Sequence, residues 1–217
     1  MSPTSPTTQK PKMIIRPATL PDLSACLALD ANSQTDHVWQ MDEREENGGR
    51  VVRFQTVRLP RVMYVSYPRE RGDLLASWEG GATVLVTTES RAYERGAESW
   101  VVEAPDVDLR GTEPPDEEPP RVLAYCQLDA CAWQGAGWIS HLIVDRPHRR
   151  RGIATAMLQA SKLWARKEGL HRLVVGVQTK NFPAICFCEK NGFAFCGYND
   201  RYYKNRDIAL FFTLWVG

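Results

Sequence analysis

Residues 149–154 read Arg-Arg-Arg-Gly-Ile-Ala, three guanidinium groups directly before a glycine and a long apolar-periodic run. Set between a strand and a helix, such a segment is suited to holding a phosphate. The first amide N–H groups of a helix have no intrahelical partner and point outward. The aligned peptide dipoles add partial positive charge at the same place. Gly152 lets backbone come close to an anion, and Ala154 keeps the first turn free of bulk. Arg149, Arg150 and Arg151 add charge, and a merely solvated basic loop is the alternative reading. Upstream lies His141, whose imidazole ordinarily titrates near 6.5 and which reads at least as readily as a histidine that only hydrogen-bonds inside the fold. Downstream, residues 181–192 read NFPAICFCEKNG and bring two asparagines, two thiols and a lysine into one short segment.

Elements of fixed type must position these groups. WISHLIV (138–144) reads as a strand leading into the basic loop. GIATAMLQASKLWARKEG (152–169) reads as a helix with Ile153, Met157, Ala160 and Trp164 on one apolar stripe. HRLVVGVQ (171–178) is a second strand. The segment 181–192 is a short helix: Asn181 can cap it, Pro183 fits its first turn, and Gly192 fits just past its end. FAFCGY and DIALFFTLWV close the chain as two strands. The order β–α–β–α–β–β implies an α/β domain around a partly parallel sheet.

The N-terminal half is less regular. Residues 13–19 read as a strand and 20–30 as a helix with Pro21 in its first turn. A second helix is expected around 36–41, extended structure over 49–68, and strands at 82–89 and 121–133. Residues 1–11 are expected to be a disordered tail, and the proline-rich, acidic stretch at about 103–120 a loop insertion into a single domain spanning 12–217.

Composition narrows the classes of function. The 217 residues are 43% hydrophobic and 24% charged, which suits a soluble globular domain. The net charge of +1 gives no drive toward nucleic acid, and no recognised nucleic-acid motif accompanies the basic run. No apolar stretch approaches the ~20 residues of a membrane-spanning helix, and the N-terminus lacks the apolar core of a secretory signal. The six cysteines form no CxxC pair and read mostly as buried reduced thiols, with neither a disulfide framework nor a metal site. A cytoplasmic protein is the expectation.

The sequence resembles the GNAT superfamily of acyl-CoA N-acyltransferases. That family's pyrophosphate motif, R/Q-x-x-G-x-G/A, is met by Arg149-Arg150-Arg151-Gly152-Ile153-Ala154. Its N-x-x-A-x-x-F-Y-x-K-x-G-F signature is met, save at one position, by NFPAICFCEKNGF. The likeness covers residues 121–217 firmly and 12–31 loosely, and the C-terminal half resembles streptothricin acetyltransferases and their relatives. The resemblance implies a GNAT-type mixed sheet, partly parallel and flanked by helices, in one domain. It implies acetyl-CoA as acyl donor, with no metal. Leu142, Ile143 and Val144 would lie beside the pantetheine arm. Arg149, Arg150, Arg151, Gly152, Ile153, Ala154 and Thr155 would hold the pyrophosphate. Asn181, Phe187 and Lys190 would complete the site.

The implied reaction is direct attack of a primary amine on the thioester. Relatives supply a Glu or Asp as base near positions filled here by Ser140, His141 and Gly176, which makes His141 the candidate. Relatives protonate the departing thiolate with the Tyr of the Phe-Tyr pair, but this chain has Phe187-Cys188. Cys188 would take that role, or is a small packed side chain with water or Tyr203 as the acid, and an acyl-cysteine at Cys188 is a third route. The expected acceptor is a polyamine-, aminoglycoside- or streptothricin-like amine, with Asp30, Asp36, Asp42, Glu43 and Trp39 as groups that could meet an ammonium. Alternatives are a protein N-terminus or lysine as acceptor, or a CoA-binding regulatory protein. A homodimer is left open.

Overall fold

The computed structural model describes residues 12–69, 72–89, 101–103 and 121–217. The expected tail at 1–11, and the expected insertion at 103–120 apart from its first residue, lie outside them. Strand β1 (Lys12–Pro17) buries Met13 and Ile15. Helix α1 (Leu20–Ala28) follows with Pro21 in its first turn, as the sequence predicts. Asp22 is buried there and accepts hydrogen bonds from the Thr19 amide and hydroxyl and from both terminal nitrogens of Arg16. One carboxylate thus caps the helix and ties it to the end of β1.

The helix expected at 36–41 is instead part of strand β2 (Ser33–Glu46), which pairs antiparallel with β3 (Gly49–Val65) as a separate two-stranded ribbon. Asn47 and Gly48 link them with φ of 52° and 76°, the left-handed pair that a tight hairpin requires. The ladder breaks between Thr35 and His37, opposite a stretch of β3 that contains Pro60, which has no N–H to donate. The ribbon docks by its middle: the Trp39 amide donates to the Thr179 carbonyl, and the Trp39 ring packs on Phe54, Phe195 and Phe212. Those partners are distant in sequence, so local pattern alone read the segment wrongly.

The remaining elements are α2 (Gly72–Glu79), β4 (Thr83–Glu89), β5 (Val101–Glu103), β6 (Val122–Cys131), β7 (Ala136–Val144), α3 (Ile153–Lys167), β8 (Arg172–Gln178), α4 (Phe182–Lys190), β9 (Ala194–Asn199) and β10 (Ala209–Trp215). Eight strands form one sheet in the order β5-β1-β4-β6-β7-β8-β10-β9. Only β1–β5 and β7–β8 are parallel. The result is a mixed sheet with helices on both faces. One core packs α3 and α4 against it, with Ile153, Met157, Ala160 and Trp164 buried as their spacing predicts. The other packs α1 and α2 through Leu23, Cys26 and Leu74.

Gly137 decides how closely α3 approaches β7. A Cβ there would stand 2.6 Å from the Trp164 ring and 3.1 Å from Leu173. Gly137→Ala is therefore expected to lower stability by about 1–3 kcal/mol, because ring and strand must part. Thermal melting checks it. A midpoint equal to that of the parent protein would mean that the indole moves aside freely.

Candidate active site

Strands β7 and β8 pair only over Ala136–Ile139 and Arg172–Val175. Beyond that point they diverge. β7 remains paired to β6 on its other edge as far as Val144, and β8 remains paired to β10 as far as Gln178. The edge of residues 140–144 that faces β8 therefore has no ladder partner among the described residues. The divergence begins at a bulge. Gln127 pairs with His141 and Leu128 with Ile139, so Ser140 is an extra residue on β7. One extra residue inverts the alternation of faces. Ile139, before the bulge, belongs to the α3 core. After it, Leu142 and Val144 lie toward that core, and Ile143 belongs to the α1 core.

The gap opens into a cleft of about 470 Å³. Leu142, Ile143 and Val144 line one wall, and Val175, Gly176, Val177 and Gln178 the other. At its mouth lies the N-terminus of α3. Arg150 and Gly152 have left-handed φ of 64° and 85°, which curls the loop into a cradle of backbone N–H groups. The first helical bond runs from Ala156 N to Gly152 O, leaving the amides of Ile153, Ala154 and Thr155 without intrahelical acceptors. Arg150, Gly152, Ile153, Ala154 and Thr155 all line the cleft. So do Asn181, Phe187 and Lys190 from α4, where Asn181 caps the helix by accepting from Ala184 N at 3.4 Å.

Two of the three arginines stand elsewhere than the sequence suggests. Arg149 reaches the cleft wall, but its guanidinium donates to carbonyl oxygens: Val144 at 2.9 Å, Asn32 at 2.7 Å, and Asp30. It is a latch between the loop before β2 and the loop before α3. Arg151 is exposed and does not line the cleft. Arg69, Arg149, Arg150 and Lys190 give the cleft its charge, and no Asp or Glu lines it among the described residues. The field in the cleft favours an anion.

The acidic residues named as ammonium sites do not face this cleft. Asp36 pairs with His37 at 2.8 Å, Asp42 with Arg44 at 2.7 Å and Glu43 with Arg50 at 2.8 Å along the ribbon, and Asp30 lies 4.0 Å from Arg146. Trp39 is enclosed by aromatic rings and is a packing residue.

His141 lies behind the cleft wall rather than on it. It is buried, with its ring 5.9 Å from that of Tyr125, and its Nδ1 is 2.6 Å from the Tyr67 hydroxyl. Burial, aided by the positive charge of Arg69, pulls its pKa down to about 4. His141 is therefore neutral at physiological pH and is not a base poised near 6.5. Tyr67 does line the cleft, and it escaped the sequence reading because nothing local in the extended segment 49–68 marks it. Tyr203 lines the far side, its hydroxyl 3.6 Å from the position a Cβ would take on Gly176, and burial pushes its pKa up to about 12. Cys188 touches the cleft but is packed into the α3 core, and burial, with Glu189 nearby, pushes its thiol up to about 12. A thiol so held supplies almost no nucleophilic thiolate.

The sequence of residues 75–193, more than half of the chain, matches the profile of the acetyltransferase (GNAT) family. The chain belongs to that family. This GNAT protein is 32% identical to the streptothricin acetyltransferase of Escherichia coli over 74 residues, which are 34% of this chain and 42% of that enzyme. It spans less than half the length of the curated relatives it matches. Among solved structures it is similar to nourseothricin acetyltransferase, with a TM-score of 0.68 and 17% identity over 94% of this chain and 99% of that one. It is also similar to a Bacillus anthracis protein solved in complex with acetyl coenzyme A, with a TM-score of 0.64 and 16% identity over the same shares of the two chains. These two likenesses are of fold.

All six cysteines of the GNAT chain are free thiols. The expectation of burial holds for Cys26, Cys126 and Cys188, whereas Cys186 and Cys196 are exposed and Cys131 is half-buried. A thiol-reactive dye on the native protein is expected to modify Cys186 and Cys196 quickly and Cys188 only after unfolding. Rapid labelling mapped by mass to Cys188 would contradict its burial.

Proposed function

We propose that the protein is an acetyl-CoA-dependent N-acetyltransferase acting on a primary amine of a small molecule, of polyamine, aminoglycoside or streptothricin type. The observation that carries this reading is the cleft itself. An unpaired strand edge ends at a cradle of helix-terminal amides, and cationic side chains surround both. On the open edge of residues 142–144, alternate residues present backbone N–H and C=O groups, suited to the amides of a pantetheine arm. The amides of residues 152–155 and the side chain of Arg150 suit a pyrophosphate. Asn181, Phe187 and Lys190 flank the same channel. The donor set fits acetyl-CoA, which would supply the thioester carbonyl that the amine attacks.

The protein's part is to orient, to exclude water and to manage protons. An alkyl amine has a pKa of about 10.4 in water and must lose a proton before it can attack. A cleft bearing arginines, and no carboxylate among the described residues, lowers that value by like-charge repulsion, so the neutral amine is favoured without a titrating base on the described wall. Tyr203, protonated throughout the physiological range, donates its proton to the thiolate as the C–S bond breaks, and is reprotonated through solvent by the N–H proton that the amine nitrogen sheds as the amide forms. Cys188, held as a thiol within the core, forms part of the wall and no acyl-enzyme. The modest identity to streptothricin acetyltransferase over part of the chain supports that acceptor class ahead of a protein N-terminus or lysine.

Thiol release from acetyl-CoA tests the reading, against streptothricin, polyamines, aminoglycosides, free lysine and basic peptides. Release with one small amine, cut about 10- to 100-fold by Tyr203→Phe, is the expected result. Binding of acetyl-CoA without release for any amine would favour the regulatory alternative. Release with peptides alone would move the acceptor class.

A further inference from the structure

Three observations converge on one hydroxyl. Tyr67 lines the cleft, His141 does not, and the two are joined by a contact of 2.6 Å between the Tyr67 oxygen and His141 Nδ1. Their rings lie 5.6 Å apart at 32°, and the Tyr125 ring closes the back of the histidine at 5.9 Å. The Ser140 bulge puts the imidazole there. Counted from Ile139 without the extra residue, position 141 would face the α3 core. The bulge turns it to the opposite face, where β7 meets the segment following β3.

We propose that Tyr67 is the residue that receives the acceptor amine, and that His141 is a positioning residue which fixes the direction of the Tyr67 hydroxyl. The inference rests on the transferase reading above and adds a substrate-touching residue to it. When the Tyr67 O–H donates to Nδ1, its proton points away from the cleft. The same oxygen keeps lone-pair capacity with which it can accept a hydrogen bond from an amine N–H held in the cleft that Tyr67 lines. The orientation matters because a hydroxyl free to rotate would present donor and acceptor in turn. An amine bonded through N–H keeps its own lone pair directed elsewhere, toward the carbonyl it attacks. Tyr203 stands over Gly176, on the β8 wall, so the two phenols flank the point where the strands part. No covalent or proton-transfer step is assigned to the Tyr67–His141 pair, and the amine's surplus proton leaves to solvent before attack.

The charged and titratable groups near the pair are Arg69 beside it in the chain, Tyr125 and Cys126 on β6, and Tyr203 across the cleft. Burial and Arg69 both favour the neutral imidazole, in keeping with a fixed acceptor rather than a proton carrier.

The test is steady-state kinetics with the amine that the parent protein acetylates, using Tyr67→Phe, His141→Leu, His141→Asn and the Tyr67→Phe/His141→Leu double variant. Absence of transfer by the parent protein would defeat the proposed function itself, separately from this inference. Given transfer, Tyr67→Phe and His141→Leu are each expected to lower kcat/KM for the amine about 10- to 100-fold, the worth of one hydrogen bond to a charged or reacting group. Acetyl-CoA affinity by calorimetry should stay within about twofold. The double variant should be no worse than either single one, because both remove one device. His141→Asn, whose amide oxygen can accept from the hydroxyl, should recover most of the loss. Across neutral and alkaline pH the parent and His141→Asn should share one profile, set by the amine. A Tyr67→Phe variant with unchanged kinetics would overturn the proposal. So would an inflection near 6.5 that vanishes in His141→Asn, since it would make the imidazole a titrating base.

Discussion

One register constraint organises this molecule. β7 is bonded to two neighbours for its first four residues and to one thereafter. A sheet does not leave half a strand edge open without cause, because each unpaired backbone group out of reach of water carries a desolvation cost. Here the open edge faces a cleft long enough for an extended ligand. The extra residue Ser140 marks where the divergence starts, and β8 stays paired to β10 while it parts from β7. The cleft is thus the gap between two strands that each keep only their outer neighbour.

Everything at the site refers back to that opening. The loop leaving β7 is short, so α3 begins at the mouth of the gap and presents its amide end there. Gly152 adopts a conformation strained for other residues, and Arg150 shares its sign of φ. Arg149 holds this loop from behind through three carbonyls, which coupled the fate of the helix start to that of the loop before β2. Cationic side chains then add a field of one sign to the fixed dipoles. The ribbon of β2 and β3 leads, through Tyr67, to the same cleft.

How much of this the sequence disclosed follows the distance over which each feature is determined. The stripe of Ile153, Met157, Ala160 and Trp164, the cap at Asn181 and the glycine at 152 are local, and all were legible. The order of strand and helix patterns disclosed a partly parallel sheet in an α/β domain, and the mixed sheet flanked by helices came with the GNAT resemblance. The ribbon was misread at 36–41, although Asn47-Gly48 between alternating segments is a hairpin signal that could have found it. The bulge at Ser140 leaves no trace in composition, so the face on which His141 lies was hidden. The pairing of His141 with Tyr67 joins residues 74 positions apart in sequence, and no spacing rule reaches that far. The basic run lies at the mouth of the cleft, but only packing reveals that Arg149 turns its donors to backbone while Arg151 faces solvent.

The central claim is that the divergent edge of β7 and the start of α3 together hold an acyl-CoA. Amide hydrogen exchange, followed with and without saturating acetyl-CoA, tests it most directly. Slowed exchange concentrated in residues 140–144 and 150–155, with the β2–β3 hairpin tip unchanged, is the predicted result. Unchanged exchange in both segments at a concentration where calorimetry registers binding would contradict the account, for the cofactor would then sit elsewhere on the molecule.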